Sequence, residues 1–349
     1  MKKNTNPYAA RLEAFVDSVR SRKLDAAIVF NQANIRALTG VDCDNAALTV
    51  EIRGGKAAIK FFTDFRYVPM VHRVAPELKV VDIRRLKVAG EKVGYEPTIS
   101  HARFLKLQKT HPKAKFEDID GLVKELRSVK NEWEVGKLRA AEALNSDIWA
   151  EAQKAFKPGM TELEMARIIR HMMIERGEGE AFETIVCVGA NAAECHHVPD
   201  STVWDGREPV LVDMGVKLDG YCSDMTRNIV PAKPSKLYKD IYALVLKANM
   251  AAIAAAKPGL TCGRLDRVAR KIIEDAGYGK CFGHSLGHGV GVEIHETPAA
   301  RKGDKTVLKP GMLVTIEPGV YLEGNLGVRI EDLILITETG CEVLSPSPK

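Results

Sequence analysis

The sequence has no pair of cysteines spaced as CxxC among its seven, no apolar run long enough to cross a bilayer, and no dense block of one charge. Each absence excludes a class. An odd number of unpaired-looking cysteines argues against a disulfide framework or a structural zinc site and for a reducing, cytoplasmic setting. The most apolar stretch, residues 241–256, is broken by Lys247 and Asn249 and is too short and polar to span a membrane. Met1-Lys2-Lys3-Asn4-Thr5 leads into Asn6-Pro7 and not into an apolar segment, so no secretory leader is expected. The 51 lysines and arginines are scattered among 46 acids, a net charge of +5 with no basic patch, which disfavours a nucleic-acid partner. What is there is the balance of an ordinary globular protein, 45% apolar and 28% charged. The 349 residues exceed one compact core, so two domains are expected.

The first part reads as mixed helix and strand. Residues 8–23 carry Leu12, Phe15, Val16 and Val19 at helical spacing. Residues 26–30 form a short buried-strand candidate, and residues 46–52 and 56–62 flank Arg53-Gly54-Gly55 as a hairpin. Residues 80–83 and 92–95 look like further strands. From residue 118 the pattern shifts to long helix, with residues 132–156 rich in Ala, Glu, Leu and Lys. The boundary is placed near residues 126–130, giving domains 1–126 and 127–349.

The second part repeats itself. Lys157-Pro158-Gly159-Met160-Thr161 recurs as Lys257-Pro258-Gly259-Leu260-Thr261, 100 residues later. Each copy opens a helix with threonine where an N-cap belongs, and Glu164 completes a capping box in the first. The helices run toward Gly177 and Gly277. Phe182 and Phe282 keep the same offset, then a histidine-bearing glycine-rich segment and two acid-bearing strands follow in each copy. Duplicated α/β halves predict a pseudo-two-fold domain with its site between them.

The acids sit where acids are costly. Asp213 interrupts the apolar strand 210–216, and Asp224 lies on the return strand beyond Lys217-Leu218-Asp219-Gly220. If those four residues are the turn, Val216 pairs with Tyr221 and Asp213 faces Asp224. In the other half Glu317 and Glu331 are equidistant from Gly324 and should also face each other. Carboxylates at cross-strand distance repel and need a shared proton or a cation. A histidine to complement them lies within Gly287-His288-Gly289-Val290-Gly291. Mostly oxygen donors with one imidazole suit two divalent ions about 3.5–4 Å apart, manganese- or cobalt-like rather than thiolate zinc.

In these motifs the chain resembles the pita-bread metallopeptidases, specifically the branch of aminopeptidase P and proline dipeptidase. The resemblance is carried by His196-His197-Val198-Pro199, Asp213-Met214-Gly215, Ser223-Asp224-Met225-Thr226-Arg227, His284-Ser285-Leu286-Gly287-His288-Gly289-Val290-Gly291, Glu293-Ile294-His295-Glu296, Glu317-Pro318-Gly319 and Val328-Arg329-Ile330-Glu331-Asp332. They run in the family's order over roughly residues 130–345. The N-terminal part resembles that branch's smaller creatinase-like domain, including Thr63-Asp64-Phe65-Arg66-Tyr67. The implied fold is α/β (α+β), a pseudo-two-fold pita-bread domain behind a smaller α/β domain.

The resemblance implies Asp213, Asp224, His288, Glu317 and Glu331 as ligands of two divalent ions, Mn2+ first, with Co2+, Zn2+ or Fe2+ as alternatives; it alone singles out His288 among nine histidines. It implies His196 as a proton and substrate guide, His295 as a stabiliser of the tetrahedral intermediate, and His284 on the substrate side. Tyr321 and Arg329 match groups beside the metals, and Phe182 and Ile294 match the proline pocket. Glu317 is the general base of choice.

The implied activity is hydrolysis of the bond between an N-terminal residue and proline in small peptides, by a homodimer. Dipeptidases need a cation for the substrate's nearby carboxylate, and small prolidases often carry an arginine where this chain has Ala299. Arg301, or Arg36 of a neighbouring subunit, is the substitute on offer, and the departure tilts the expectation to aminopeptidase P over dipeptidase. A non-proline aminopeptidase comes next. A metal-free creatinase-like enzyme or a non-catalytic interaction protein on this fold would lose ligands that this chain retains.

Overall fold

A computed structural model describes residues 6–349; Met1–Thr5, read above as no secretory leader, lie outside the described residues. The chain divides into two compact units, Met1–Arg127 and Ser128–Lys349. Among the described residues no helix is long and apolar enough to cross a membrane.

The first unit is a six-stranded mixed sheet flanked by helices. Its strands are β1 Ala26–Val29, β2 Ala46–Arg53, β3 Lys56–Thr63, β4 Lys79–Asp82, β5 Lys92–Tyr95 and β6 Lys115–Asp118, in the order β4-β3-β2-β1-β5-β6. Its helices are α1 Ala9–Ser21, α2 Gln32–Thr39, α3 Val68–Val74, α4 His101–Thr110 and α5 Asp120–Ser128. Strand β1 has no exposed residue, and Phe15, Val19, Ile35, Leu38 and Phe61 fill the core on one side of the sheet. β2 and β3 form the expected hairpin, closing on the pair Arg53–Lys56.

The second unit contains two related halves. The first has α6 Glu132–Ala155, α7 Glu162–Arg176, and strands β7 Ile185–Val188, β8 Val210–Met214, β9 Lys217–Leu218, β10 Tyr221–Cys222 and β11 Met225–Ile229. The second has α8 Lys236–Ala255, α9 Cys262–Asp275, and strands β12 Gly287–Gly289, β13 Glu296–Ala300, β14 Leu313–Ile316, β15 Gly319–Leu322, β16 Leu326–Arg329, β17 Asp332–Ile336 and β18 Cys341–Val343. Thr161 and Thr261 each cap a helix, accepting from the N–H three residues on, and Glu164 closes a capping box on Thr161. Each threonine also bridges a later segment, Thr161 to Val203 and Thr261 to Val307. Each half has its own apolar core, around Ile148, Met165 and Val212 in one and Val245, Leu265 and Val314 in the other.

The first acid-bearing hairpin differs from the sequence expectation. Its turn is two residues long, Asp219-Gly220, with φ of 49° and 72°, the mirror-image turn that right-twisted strands prefer. Leu218 therefore pairs with Tyr221, and Asp213 faces Thr226 and not Asp224. The register has moved by two residues, which leaves every side chain on its expected face. Asp224 sits just before β11, on the same side as Thr226. In the second hairpin, pairing runs from Leu313–Leu335 to Leu322–Leu326 in one register, and Glu317 stands opposite Glu331 as the count from Gly324 expects.

A buried helical asparagine ties each half's helix to its acid-bearing strand. Asn145 on α6 donates to the carbonyl of Met214, next to Asp213. Asn249 on α8 donates to the carbonyls of Ile316 and Ile330, next to Glu317 and Glu331, and to Asp332. Removing a buried donor leaves its acceptors unpaired, at about 1–3 kcal/mol. Asn249→Ala, which removes the donor to two backbone carbonyls and a carboxylate, should destabilise the protein more than Asn145→Ala, which removes the donor to one carbonyl. Denaturant unfolding of the two variants checks the order.

Candidate metal centre

The two hairpins and β12 bring the five sequence-nominated donors to one cavity of about 540 Å3, which Asp213, Asp224, His288, Glu317 and Glu331 line together. Asp224 and Glu331 are buried. Each donor is held by a group behind it. Asp213 accepts from Arg329 at 2.7 Å. The Asp224 backbone N–H donates to buried Glu142 at 3.1 Å. Thr226 donates to Glu331 at 2.7 Å, and Thr315 donates to Glu317 at 3.1 Å. Gly287 lets β12 lie against β14, because an added Cβ would collide with the Thr315 carbonyl.

His288 is prepared to give a lone pair. Its Nδ1 lies 3.1 Å from the carbonyl of Gly289, which fixes the proton there. Nε2 then points, unprotonated, 3.5 Å from both Asp224 and Glu317. Burial, aided by His295, lowers its pKa to about 4, so the ring is neutral at physiological pH.

These groups fit a cation better than they fit one another. Burial raises Asp224 and Glu331 well above the carboxylate range, and their neighbours Asp213 and Glu317 push further. Burial lifts Glu317 to about 8, with Arg329 opposing and Asp213 adding. Asp213 Oδ1 is buried without a hydrogen-bond partner. Asp224, His288 and Glu331 offer ligand atoms within 4.8 Å of one another. A carboxylate oxygen with no donor, facing a lone pair and other carboxylates, is the donor set of a hard divalent ion.

The other nominated residues surround this centre. Phe182, His196, His284, Ile294, His295 and Arg329 line the cavity. The His295 ring packs 4.3 Å, centroid to centroid, from that of His288. Tyr321 stands behind the cavity lining; Arg329 donates to its hydroxyl at 3.0 Å, and the hydroxyl lies 2.9 Å from His284 Nε2. Against the cost of burial, Tyr321 and the carboxylates Asp213, Glu331 and Glu317 keep Arg329 firmly charged. Arg301 does not reach: its side chain is 69% exposed and pairs with Asp304. Ala299 pairs with His288 across β12 and β13.

Glu142, Thr226, Thr315 and the two asparagines escaped the sequence reading as site residues. Glu142 and Asn145 look like ordinary helix polar groups. Their signal was position, since they share a face of α6 with buried Leu138 and Trp149.

The fold and the donor set together define a metallopeptidase. The chain belongs to metallopeptidase family M24, whose model matches residues 136–338, and residues 11–129 match the creatinase/prolidase N-terminal domain. Its second unit has the pita-bread fold. The Xaa-Pro dipeptidase of Pyrococcus furiosus is 34% identical over 350 residues, covering 97% of this chain and 98% of that protein. Among solved structures, an Xaa-Pro dipeptidase from Bacillus anthracis superposes with a TM-score of 0.91 at 32% identity, covering 98% of each chain. An X-Pro aminopeptidase from Thermotoga maritima gives 0.84 at 31% identity, covering 95% of this chain and 98% of that one.

A raised carboxyl pKa favours the protonated form in the folded state, so its stabilising share is present below the ordinary value and lost as pH rises through the raised one. For Glu317 that window runs from 4.5 to about 8. Chelator-stripped protein should lose melting temperature across this range, and added Mn2+ should abolish the loss. A flat profile without metal would contradict the crowding of charge.

Proposed function

We propose that the chain is a metal-dependent Xaa-Pro dipeptidase, hydrolysing the bond between an N-terminal residue and a C-terminal proline. The observation that carries it is the set of four carboxylates and one neutral imidazole in a cavity of about 540 Å3, a volume suited to a very small peptide. Whole-length similarity to proteins named Xaa-Pro dipeptidase moves the balance from the aminopeptidase P expected above.

Asp213, Asp224, His288, Glu317 and Glu331 would hold two divalent ions, with Mn2+ favoured by the oxygen-rich set. Such ions supply Lewis-acid polarisation of the scissile carbonyl and a nucleophilic water at neutral pH. The side chains do the rest. Glu317, steadied by Thr315, takes the proton of the attacking water. His295 donates an N–H to the oxygen on which charge develops. Glu317 then passes that proton to the departing proline nitrogen, with His196 on the cavity wall assisting the transfer. Phe182 and Ile294 give the proline ring apolar walls. Tyr321 and Arg329 keep Asp213 and His284 in place. The seven free cysteines suit a cytoplasmic enzyme, and a homodimer belongs to the same reading.

One observation favours the aminopeptidase reading. Among the described residues lining the cavity, Arg329 is the one arginine or lysine, and it is engaged by Asp213, Thr226 and Tyr321. In a dipeptidase the substrate carboxylate would then be met by histidine N–H groups of this cavity or by Arg36 of a neighbouring subunit. Hydrolysis of Xaa-Pro and Xaa-Pro-Yaa peptides by Mn2+-loaded protein separates the two. We expect the dipeptide to be cleaved faster, with activity lost on chelation and in Glu317→Gln. Cleavage of the tripeptide alone would establish the aminopeptidase instead, and cleavage of neither by metal-loaded protein would defeat proline specificity.

A further inference from the structure

His196 presents an exposed imidazole to the cavity with no hydrogen bond to its ring among the described residues. Nothing in its own side chain fixes where it points. Its aim is set by the backbone of residues 189–200, the loop between β7 and β8. Arg329 reaches the Cys195 carbonyl only at 3.4 Å. The His197 N–H closes a turn on the Glu194 carbonyl at 3.0 Å.

The stronger hold comes from Glu162, the first residue of α7, which is fully buried. Its Oε1 accepts from Val188 N–H at 2.6 Å and Asn191 Nδ2 at 3.0 Å. Its Oε2 accepts from His197 Nε2 at 2.7 Å and Asp200 N–H at 3.1 Å. One carboxylate thus ties the loop at its entrance, its first turn and its exit, and His197 is the tie adjacent to His196. Glu162, His197 and Asp200 lie close enough to share a cation. But a carboxylate offers about four lone-pair sites, and four N–H donors already fill them, so the cluster is a hydrogen-bonded latch.

We propose that the Glu162–His197 pair is a positioning device that aims His196 into the active-site cavity, and that it does so with His197 positively charged. His197 Nδ1 lies 3.4 Å from Glu194, so both ring nitrogens face carboxylates, an arrangement suited to the imidazolium. The charged groups facing the ring are Glu162 from α7 and Glu194 and Asp200 from its own loop. Burial opposes the charge, but the pairing with Glu162, Glu194 and Asp200 outweighs it and raises the imidazole pKa above its usual value. The charged latch is therefore strongest below the ordinary histidine value and weakens as pH rises through the raised one.

The inference rests on the role proposed for His196. Its test uses the metal-loaded, full-length protein with Xaa-Pro substrate, in wild-type form and as His197→Ala, His197→Gln and Glu162→Gln. A glutamine amide can stand in for Nε2 as a neutral donor to Glu162. His197→Ala should lower kcat about tenfold or more, with little change in KM or metal content. His197→Gln should recover to within about threefold of wild type and lose one alkaline limb of the wild-type pH profile. NMR titration of His197 in wild-type protein should show a raised pKa that falls in Glu162→Gln, a readout independent of turnover and of the reading above. Wild-type kcat in His197→Ala, or a His197 that titrates at or below the ordinary histidine value, would overturn the proposal. Loss in His197→Ala without rescue by glutamine and without change in the alkaline limb would do the same.

Discussion

Four acids are gathered in an interior that penalises their charge. For Asp224, Glu317 and Glu331 burial is the largest influence, and mutual repulsion adds to it. In a medium of low effective dielectric such a group is tolerated only if it is protonated, paired or bound to a cation. Arg329 compensates Asp213 at one edge, but one guanidinium cannot neutralise four carboxylates. The remaining compensation comes either from protons, which the raised carboxyl pKa values favour when no metal is bound, or from a cation.

Much of the second unit can be read as scaffolding that holds those acids together against their repulsion. Each half contributes a hairpin, and each hairpin is pinned from behind by a buried helical asparagine, Asn145 or Asn249. Threonines inside the strands, Thr226 and Thr315, donate to the carboxylates while contributing no charge. Behind Glu331, Asp332 is itself neutralised by Arg227 and Lys349. Behind Asp224, buried Glu142 forms no ion pair among the described residues, and burial raises its pKa to about 7. Buried polar networks of this kind rigidify a site; among the oxygens of the four acids, Asp213 Oδ1 is buried without a partner and marks where a ligand belongs.

Hairpin β2–β3 is legible in its glycine turn, α6 in its helix-forming composition and α1 in its apolar period. The sequence was poor at elements without such a signal. Strand β6 has no buried residue and α4 only one, so neither left a pattern to read. The Asp213 hairpin was placed two residues out of register because Lys217 and Leu218 look like turn residues, although Asp219-Gly220 was itself the better turn signal. The error did not scatter the acids, since a two-residue slip preserves the face. Glu142 and Glu162 stayed hidden for another reason: a glutamate on a helix is ordinary until its burial is known. His288 is set apart by its Nε2, which stands 3.5 Å from both Asp224 and Glu317, a placement that no spacing announces.

The account's central claim is that this cluster of buried charge is a two-cation centre. Diffraction from crystals of the Mn2+-loaded protein, measured at the manganese absorption edge, tests it most directly. The account predicts two anomalous peaks per chain, about 3.5–4 Å apart, in contact with Asp213, Asp224, His288, Glu317 and Glu331. Peaks elsewhere, or none at these residues under saturating metal, would contradict it.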